Sequence, residues 1–158
     1  VRFKPFNLTE LCKKTAMYKA PILYKNGFDI IFDAKDDFWI NGSAVIIESL
    51  LGNLISNAQK YAFNEKNAKK NVITIKIKEK KENIIMSILD KGEGIPEKFH
   101  NKIYDRFFRL DTQKKGTGLG LSIVKQIVEL HDGSIEFTNK EPHGLNVSIT
   151  FSKYIKTK

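Results

Sequence analysis

Apolar residues recur along this chain with two different spacings, and the spacing changes at well-marked turns. Between Ile46 and Tyr61 (IIESLLGNLISNAQKY) the apolar positions 47, 50, 51, 54, 55 and 58 keep the three-and-four rhythm of a helix with one buried face. Ser43, just upstream, suits its N-cap. Leu8, Leu11, Cys12, Ala16 and Leu23 carry the same rhythm and predict a helix from about Thr9, with Pro21 as a kink and Gly27 as a stop. A third helix is predicted over 119–131, ended by Asp132-Gly133. Elsewhere the apolar runs are short and rich in β-branched and aromatic residues. They predict strands at Phe6–Leu8, Phe28–Phe32, Phe38–Ile40, Val72–Lys78, Asn83–Leu89, Ser134–Thr138 and Leu145–Ser152, with a polar loop over Ala62–Asn71. Strands thus come in runs, with helices between the runs rather than after each strand. That order predicts an α+β fold, a mixed sheet covered on one face by helices.

Length and composition narrow the class. A chain of 158 residues can build its own core, so residues 1–158 read as a single domain. The one cysteine, Cys12, excludes an internal disulfide framework and fits a reducing compartment. No apolar run approaches the ~20 residues of a membrane span, and no signal-peptide pattern, internal repeat or low-complexity tract is visible. The net charge is +9, carried almost wholly by lysine. Clusters such as Lys76-Ile77-Lys78-Glu79-Lys80-Lys81 alternate as the wet face of a strand does, and the excess also favours polyanions such as ATP. A nucleic-acid binder would interleave arginines and exposed aromatics along a face. That pattern is absent, so no nucleic-acid partner is expected. The only arginines are Arg2, Arg106 and Arg109, and two of them share a short basic-aromatic patch that suits the planar, bidentate guanidinium.

The densest chemistry lies between Asp90 and Leu121: DKGEGIP, then YDRFFRL, then TQKK and GTGLGL. Ile84 to Leu89 reads as a buried strand. Asp90 at its end is a carboxylate at the rim of an apolar slot, able to accept a hydrogen bond from the exocyclic amine of adenine. Gly92 and Gly94 remove side chains where the backbone turns sharply and approaches a ligand. Pro96 suits the first turn of a following helix. Gly116, Gly118 and Gly120 lead straight into the helical run Leu121-Ser122-Ile123-Val124. Bare N–H groups and the positive end of a helix dipole then stand where phosphates can sit. Either glycine cluster alone could be an ordinary turn. The upstream helix shifts the balance, because Asn53 and Asn57 are spaced i, i+4 with Lys60 at i+7, on one face. Asparagine is a poor mid-helix residue, and two on one face suit a polar ligand such as hydrated Mg²⁺.

In order and spacing, NLISNAQKY, DKGEGIP, YDRFFRL and GTGLGL resemble the N box, first glycine box, F box and second glycine box of sensor histidine kinases. The resemblance covers nearly the whole chain. It implies a two-layer α/β sandwich of the Bergerat type rather than a P-loop fold, whose GxxxxGK signature is missing. It also implies ATP and Mg²⁺ as ligands. Asn57 would coordinate Mg²⁺ through its side-chain oxygen, with Asn53 assisting. Lys60 would contact phosphate, and Tyr61 would line the base or phosphate edge. Asp90 would fix adenine, with Gly92 and Gly94 shaping that wall. Gly116, Thr117, Gly118, Leu119 and Gly120 would cradle the phosphates. Arg109 matches the position that can reach the γ-phosphate, which makes Asn57 and Arg109 the catalytic candidates. Arg106, Tyr104, Phe107 and Phe108 fall to structural or docking roles. The implied reaction is transfer of the γ-phosphoryl group to a histidine on a separate, upstream helical dimerisation domain. The implied partners are that domain and a response regulator. The implied parent is a cytoplasmic homodimer, or the cytoplasmic part of a membrane-anchored one, with no direct membrane contact by this domain.

Two departures from the family pattern stand out. Only Thr112, Gln113, Lys114 and Lys115 separate Asp111 from Gly116, a short ATP lid, and Lys115 stands where many members have glycine. None of the three histidines fits a phosphoacceptor: His100 has no acidic neighbour, His131-Asp132 is cut off by Gly133, and His143 sits in a Pro142–Gly144 turn. The chain is therefore expected to be the catalytic part alone. Rivals within the fold are ATPases of the topoisomerase and mismatch-repair type and serine kinases of the anti-sigma-factor type. The F box and GTGLGL favour the histidine kinase. In the ATPase branches, a glutamate one turn before the Mg²⁺ asparagine activates water; here that position is Asn53, a neutral amide. Asn57, Asp90 and the three glycines of GTGLGL argue against a domain that only binds partners.

Overall fold

The computed structural model describes residues 2–99, 102, 120–140 and 143–156. Alternating and periodic stretches become β1 (Lys4–Asn7), α1 (Leu8–Lys25), β2 (Asp29–Ala34), β3 (Trp39–Gly42), α2 (Ala44–Ala62), β4 (Val72–Lys80), β5 (Asn83–Asp90), α3 (Gly120–Leu130), β6 (Ser134–Asn139) and β7 (Leu145–Ser152). The fold is α+β, as its element order predicts. Five strands form a mixed sheet in the order β2-β4-β5-β7-β6, in which β2 and β4 run parallel and the other neighbours antiparallel. The first and third strands do not join it. They pair with each other as a separate antiparallel ribbon, Phe6 opposite Ile40.

One face of the sheet is dry and carries the core. Ile75 pairs with Ile88, Ile77 with Met86, Met86 with Ile149 and Ile88 with Val147, so the three central strands β4, β5 and β7 present a continuous apolar layer. The period of two sends Lys76 and Lys78 of β4 to solvent on the other face. Against the apolar layer lie Leu8, Cys12, Ala16 and Leu23 of α1, the Ile47–Ala58 stripe of α2, and Val124, Ile127 and Val128 of α3. All six apolar positions expected to face inward on α2 are buried.

The helix ends follow from local chemistry. Ser43 caps α2 by accepting from the Ile46 N–H, and Asn7 caps α1 by accepting from Glu10 N–H at 3.0 Å. The first helix is continuous from Leu8 through Pro21 to Lys25. It closes at Gly27 (φ 87°), with Gly27 N–H donating to the Tyr24 carbonyl and Phe28 N–H to Leu23. This is the paired-bond C-cap that a left-handed residue permits. The third helix closes in the same way, but the left-handed residue is Asp132 (φ 53°) rather than the expected Gly133. Gly133 serves a different purpose, since a Cβ there would press on the Thr150 carbonyl of β7.

His131 has a purely structural setting. Its Nδ1 lies 2.8 Å from the Ile127 carbonyl and its Nε2 3.1 Å from the backbone nitrogen of Ser43. That pattern requires Nδ1 to donate and Nε2 to accept, which is the neutral ring. Phe3 stacks on it at 4.6 Å. The residue that ends α3 is thereby tied to the residue that starts α2.

Candidate nucleotide site

A largely apolar cleft opens between α2, the end of β5 and the start of α3. Leu54 and Ala58 wall it from α2, Ile88 and Val147 floor it from the sheet, and Ile95 and Leu121 close its sides. Two polar groups stand in this apolar lining, Asn57 and Asp90, with Tyr61 beside them. An apolar slot with a few convergent polar groups is the usual form of a small-molecule site.

Asp90 reaches the slot because it is the last residue of β5, and the chain then turns away from the sheet. The residue is only 9% exposed, and its Oδ1 accepts from the Gly92 N–H at 2.9 Å. Burial pushes this carboxyl above its ordinary value, against the opposing pull of the Gly92 and Leu145 backbone amides and the Lys140 charge. The turn is possible only with glycine at two points. A Cβ at Gly92 would strike Ala62 at the end of α2, and Gly94 sits at φ 80°, where a Cβ would strike the Asn139 side chain.

Asn57 stands out among the residues of this lining. Its side-chain nitrogen is buried without a hydrogen-bond partner among the described residues. A buried, unmatched amide costs ~1–3 kcal/mol, so it marks a position where a polar ligand belongs. Rotation of the amide exchanges its oxygen and nitrogen at this spot, so the residue can offer either. This fits a hydrated cation.

The structure brings Asn57, Tyr61, Asp90 and Gly94 to one cleft and sets Gly92 directly behind Asp90. Asn53 and Lys60 lie on α2 within a turn of Asn57, half-buried, but do not line the apolar part of the cleft. Gly120 begins α3, and Leu121 of the next position faces the cleft. Arg109, Gly116, Thr117, Gly118 and Leu119 lie outside the described residues, as do Tyr104, Arg106, Phe107, Phe108 and the short lid. Of the helix expected after Pro96, the described residues contain a single 3₁₀ turn, Glu97–Phe99. Sequence reasoning missed Asn139, whose side chain bonds to Ile95 on the cleft wall. An asparagine just before a hairpin reads as a turn residue, and nothing local distinguishes the two roles.

Comparison with known proteins gives this geometry a family. The model for histidine kinase-, DNA gyrase B- and HSP90-like ATPases matches residues 42–155, and the chain belongs to that family. Within it, the sensor protein KdpD of Clostridium acetobutylicum is 34% identical over 145 residues, which are 89% of this chain and 16% of that protein. The nucleotide-free catalytic domain of the histidine kinase ThkA is 31% identical with a TM-score of 0.82, covering 97% of each chain. ThkA in complex with the response regulator TrrA is 27% identical with a TM-score of 0.77, covering 96% of this chain and 42% of that one. The chain is thus the catalytic, ATP-binding domain of a sensor histidine kinase, and it spans about one sixth of the length of the curated relative it matches. Among the described residues, no helix is long and apolar enough to cross a membrane.

Proposed function

We propose that this chain binds Mg·ATP in the cleft between α2 and the end of β5 and passes the γ-phosphoryl group to a histidine on a separate helical domain. The observation that carries the proposal is the unmatched buried amide of Asn57 in the same cleft as the carboxylate of Asp90. Asp90 accepts from the exocyclic amine of adenine, while Leu54, Ala58 and Ile88 hold the ring out of water. Asn57, assisted by Asn53 one turn earlier, holds Mg²⁺, and Lys60 meets phosphate. When bound, the cation neutralises charge on the phosphates during transfer. Arg109 and the stretch from Gly116 to Gly120 complete the reading on the strength of their sequence motifs.

The partners we propose are a histidine-bearing dimerisation domain and a response regulator, within a homodimeric parent that works in the cytoplasm, where ATP is available. The test has two arms. Titration with ADP and ATP should show binding that Mg²⁺ strengthens and that Asn57→Ala weakens. With a histidine-bearing helical domain of the same parent, label from γ-labelled ATP should appear on that domain and not on this chain. Absence of nucleotide binding, or label on this chain alone, would refute the proposal.

A further inference from the structure

We propose that Asn139 is a positioning residue for the nucleotide site, holding the loop after Asp90 in the shape that the base requires. The inference rests on the nucleotide reading above and adds a residue to it from a strand that none of the sequence motifs touches. Asn139 is the last residue of β6, and its side chain crosses to the far end of the Asp90–Ile95 loop. Its Nδ2 donates to the Ile95 carbonyl at 2.8 Å, and its Oδ1 accepts from the Ile95 N–H at 2.9 Å. A reciprocal pair of this kind fixes both ends of the amide and leaves one orientation only. It is what a neighbouring strand would offer, delivered by one side chain to one residue.

Three further features bear on the same point. Gly94 has no room for a Cβ because the Asn139 amide oxygen occupies that space. Ile95, the clamped residue, is buried and forms part of the cleft wall. The loop's other end is anchored to the same hairpin, since Asp90 pairs with Leu145 of β7 in the sheet. The β6–β7 hairpin therefore holds the loop at both ends, by a backbone ladder at Asp90 and by a side-chain clamp at Ile95. Asn139 is itself exposed, so its removal opens no core cavity. The amide contributes to the position of the loop more than to the stability of the fold.

The test compares the wild-type chain with Asn139→Ala and Asn139→Asp, using ADP and GDP as probes, with melting temperature and amide hydrogen exchange at Ile95. Loss of two loop bonds should weaken ADP roughly three- to thirty-fold. It should also reduce the preference for ADP over GDP and speed exchange at Ile95, at nearly unchanged melting temperature. Asn139→Asp keeps an acceptor for the Ile95 N–H but turns a second oxygen toward the Ile95 carbonyl, so it should weaken ADP at least as much as alanine. A role confined to the hairpin would not separate affinity from melting temperature. Wild-type affinity, selectivity and Ile95 exchange in both variants would overturn the proposal, as would an affinity loss that simply follows a fall in melting temperature. Failure of the wild-type chain to bind ADP would instead refute the nucleotide reading, and with it any part for Asn139 in binding.

Discussion

Replacing Asp90 with asparagine should move binding and stability in opposite directions. The exchange is nearly isosteric, so its effect is confined to charge and hydrogen-bond direction. Oδ1 is already committed to the Gly92 N–H at 2.9 Å. An asparagine must keep its oxygen there, which turns its NH₂ toward the exocyclic amine of adenine, donor against donor. The bond lost is one to a charged group, about 1.5–3 kcal/mol, so ADP should bind ten- to a hundredfold more weakly, on the order of that energy. GDP, with a carbonyl in place of the amine, should lose far less or gain. The apo protein should respond the other way, because the charge removed is one that burial disfavours. The folded-state pKa of Asp90 lies above its unfolded value. Its contribution to stability is therefore fully present below the unfolded pKa and is lost as pH rises through the folded one. Asp90→Asn should melt higher than wild type at neutral pH, and that advantage should shrink as pH falls through the raised pKa. Calorimetric titration with ADP and GDP, plus melting curves across acid to neutral pH, measure both halves. Undiminished ADP affinity would refute the base-reading role. A pH-independent destabilisation would refute the desolvation argument.

Four other outcomes are expected. His131→Ala removes the acceptor for the Ser43 N–H and the ring stacked on Phe3, and should cost ~2–3 kcal/mol in urea unfolding; a loss below ~0.5 kcal/mol would show that the tie is idle. Burial pushes the Cys12 thiol up to about 12, so its labelling by a thiol reagent at pH 8 should proceed only through global unfolding and follow the unfolding rate. Arg109→Ala should slow phosphotransfer to an added histidine domain while leaving ADP affinity unchanged, since ADP lacks the γ-phosphate. Alone, the chain should hydrolyse Mg·ATP very slowly, because the amide of Asn53 cannot serve as a general base, a function typically worth ~10²–10⁴ in rate; fast turnover abolished by Asn57→Ala would place it with the self-contained ATPases.

What the sequence made legible was whatever is encoded within a few residues. The face of α2, the Ser43 cap, the glycine stop of α1 and the ends of the long strands all follow from spacing and turn chemistry, to within a residue or two. The motif order likewise pointed to the family. What escaped depends on contacts that spacing cannot report. That β1 pairs with β3, or that β2 runs parallel to β4, joins segments far apart in sequence. Asn139 meets Ile95 across 44 positions of sequence. Asp132 adopts the left-handed geometry while Gly133, its neighbour, is needed bare against Thr150, a division of roles that a Gly-stop rule does not foresee.

The tie between His131 and Ser43 gives the two helices of the site the mechanics of tongs. It joins the end of α3 to the start of α2, while Asn57 and Leu121 line one cleft toward the opposite ends. From Ser43 to Asn57 the lever is about 20 Å long at ~1.5 Å per residue. A rocking of roughly 5° at this pivot therefore shifts the gripping ends by nearly 2 Å, given that rise per residue. That is close to half the thickness of an aromatic ring with its contacts. A molecule seated in the cleft would touch the same pair of helices at the other end from the His131 tie.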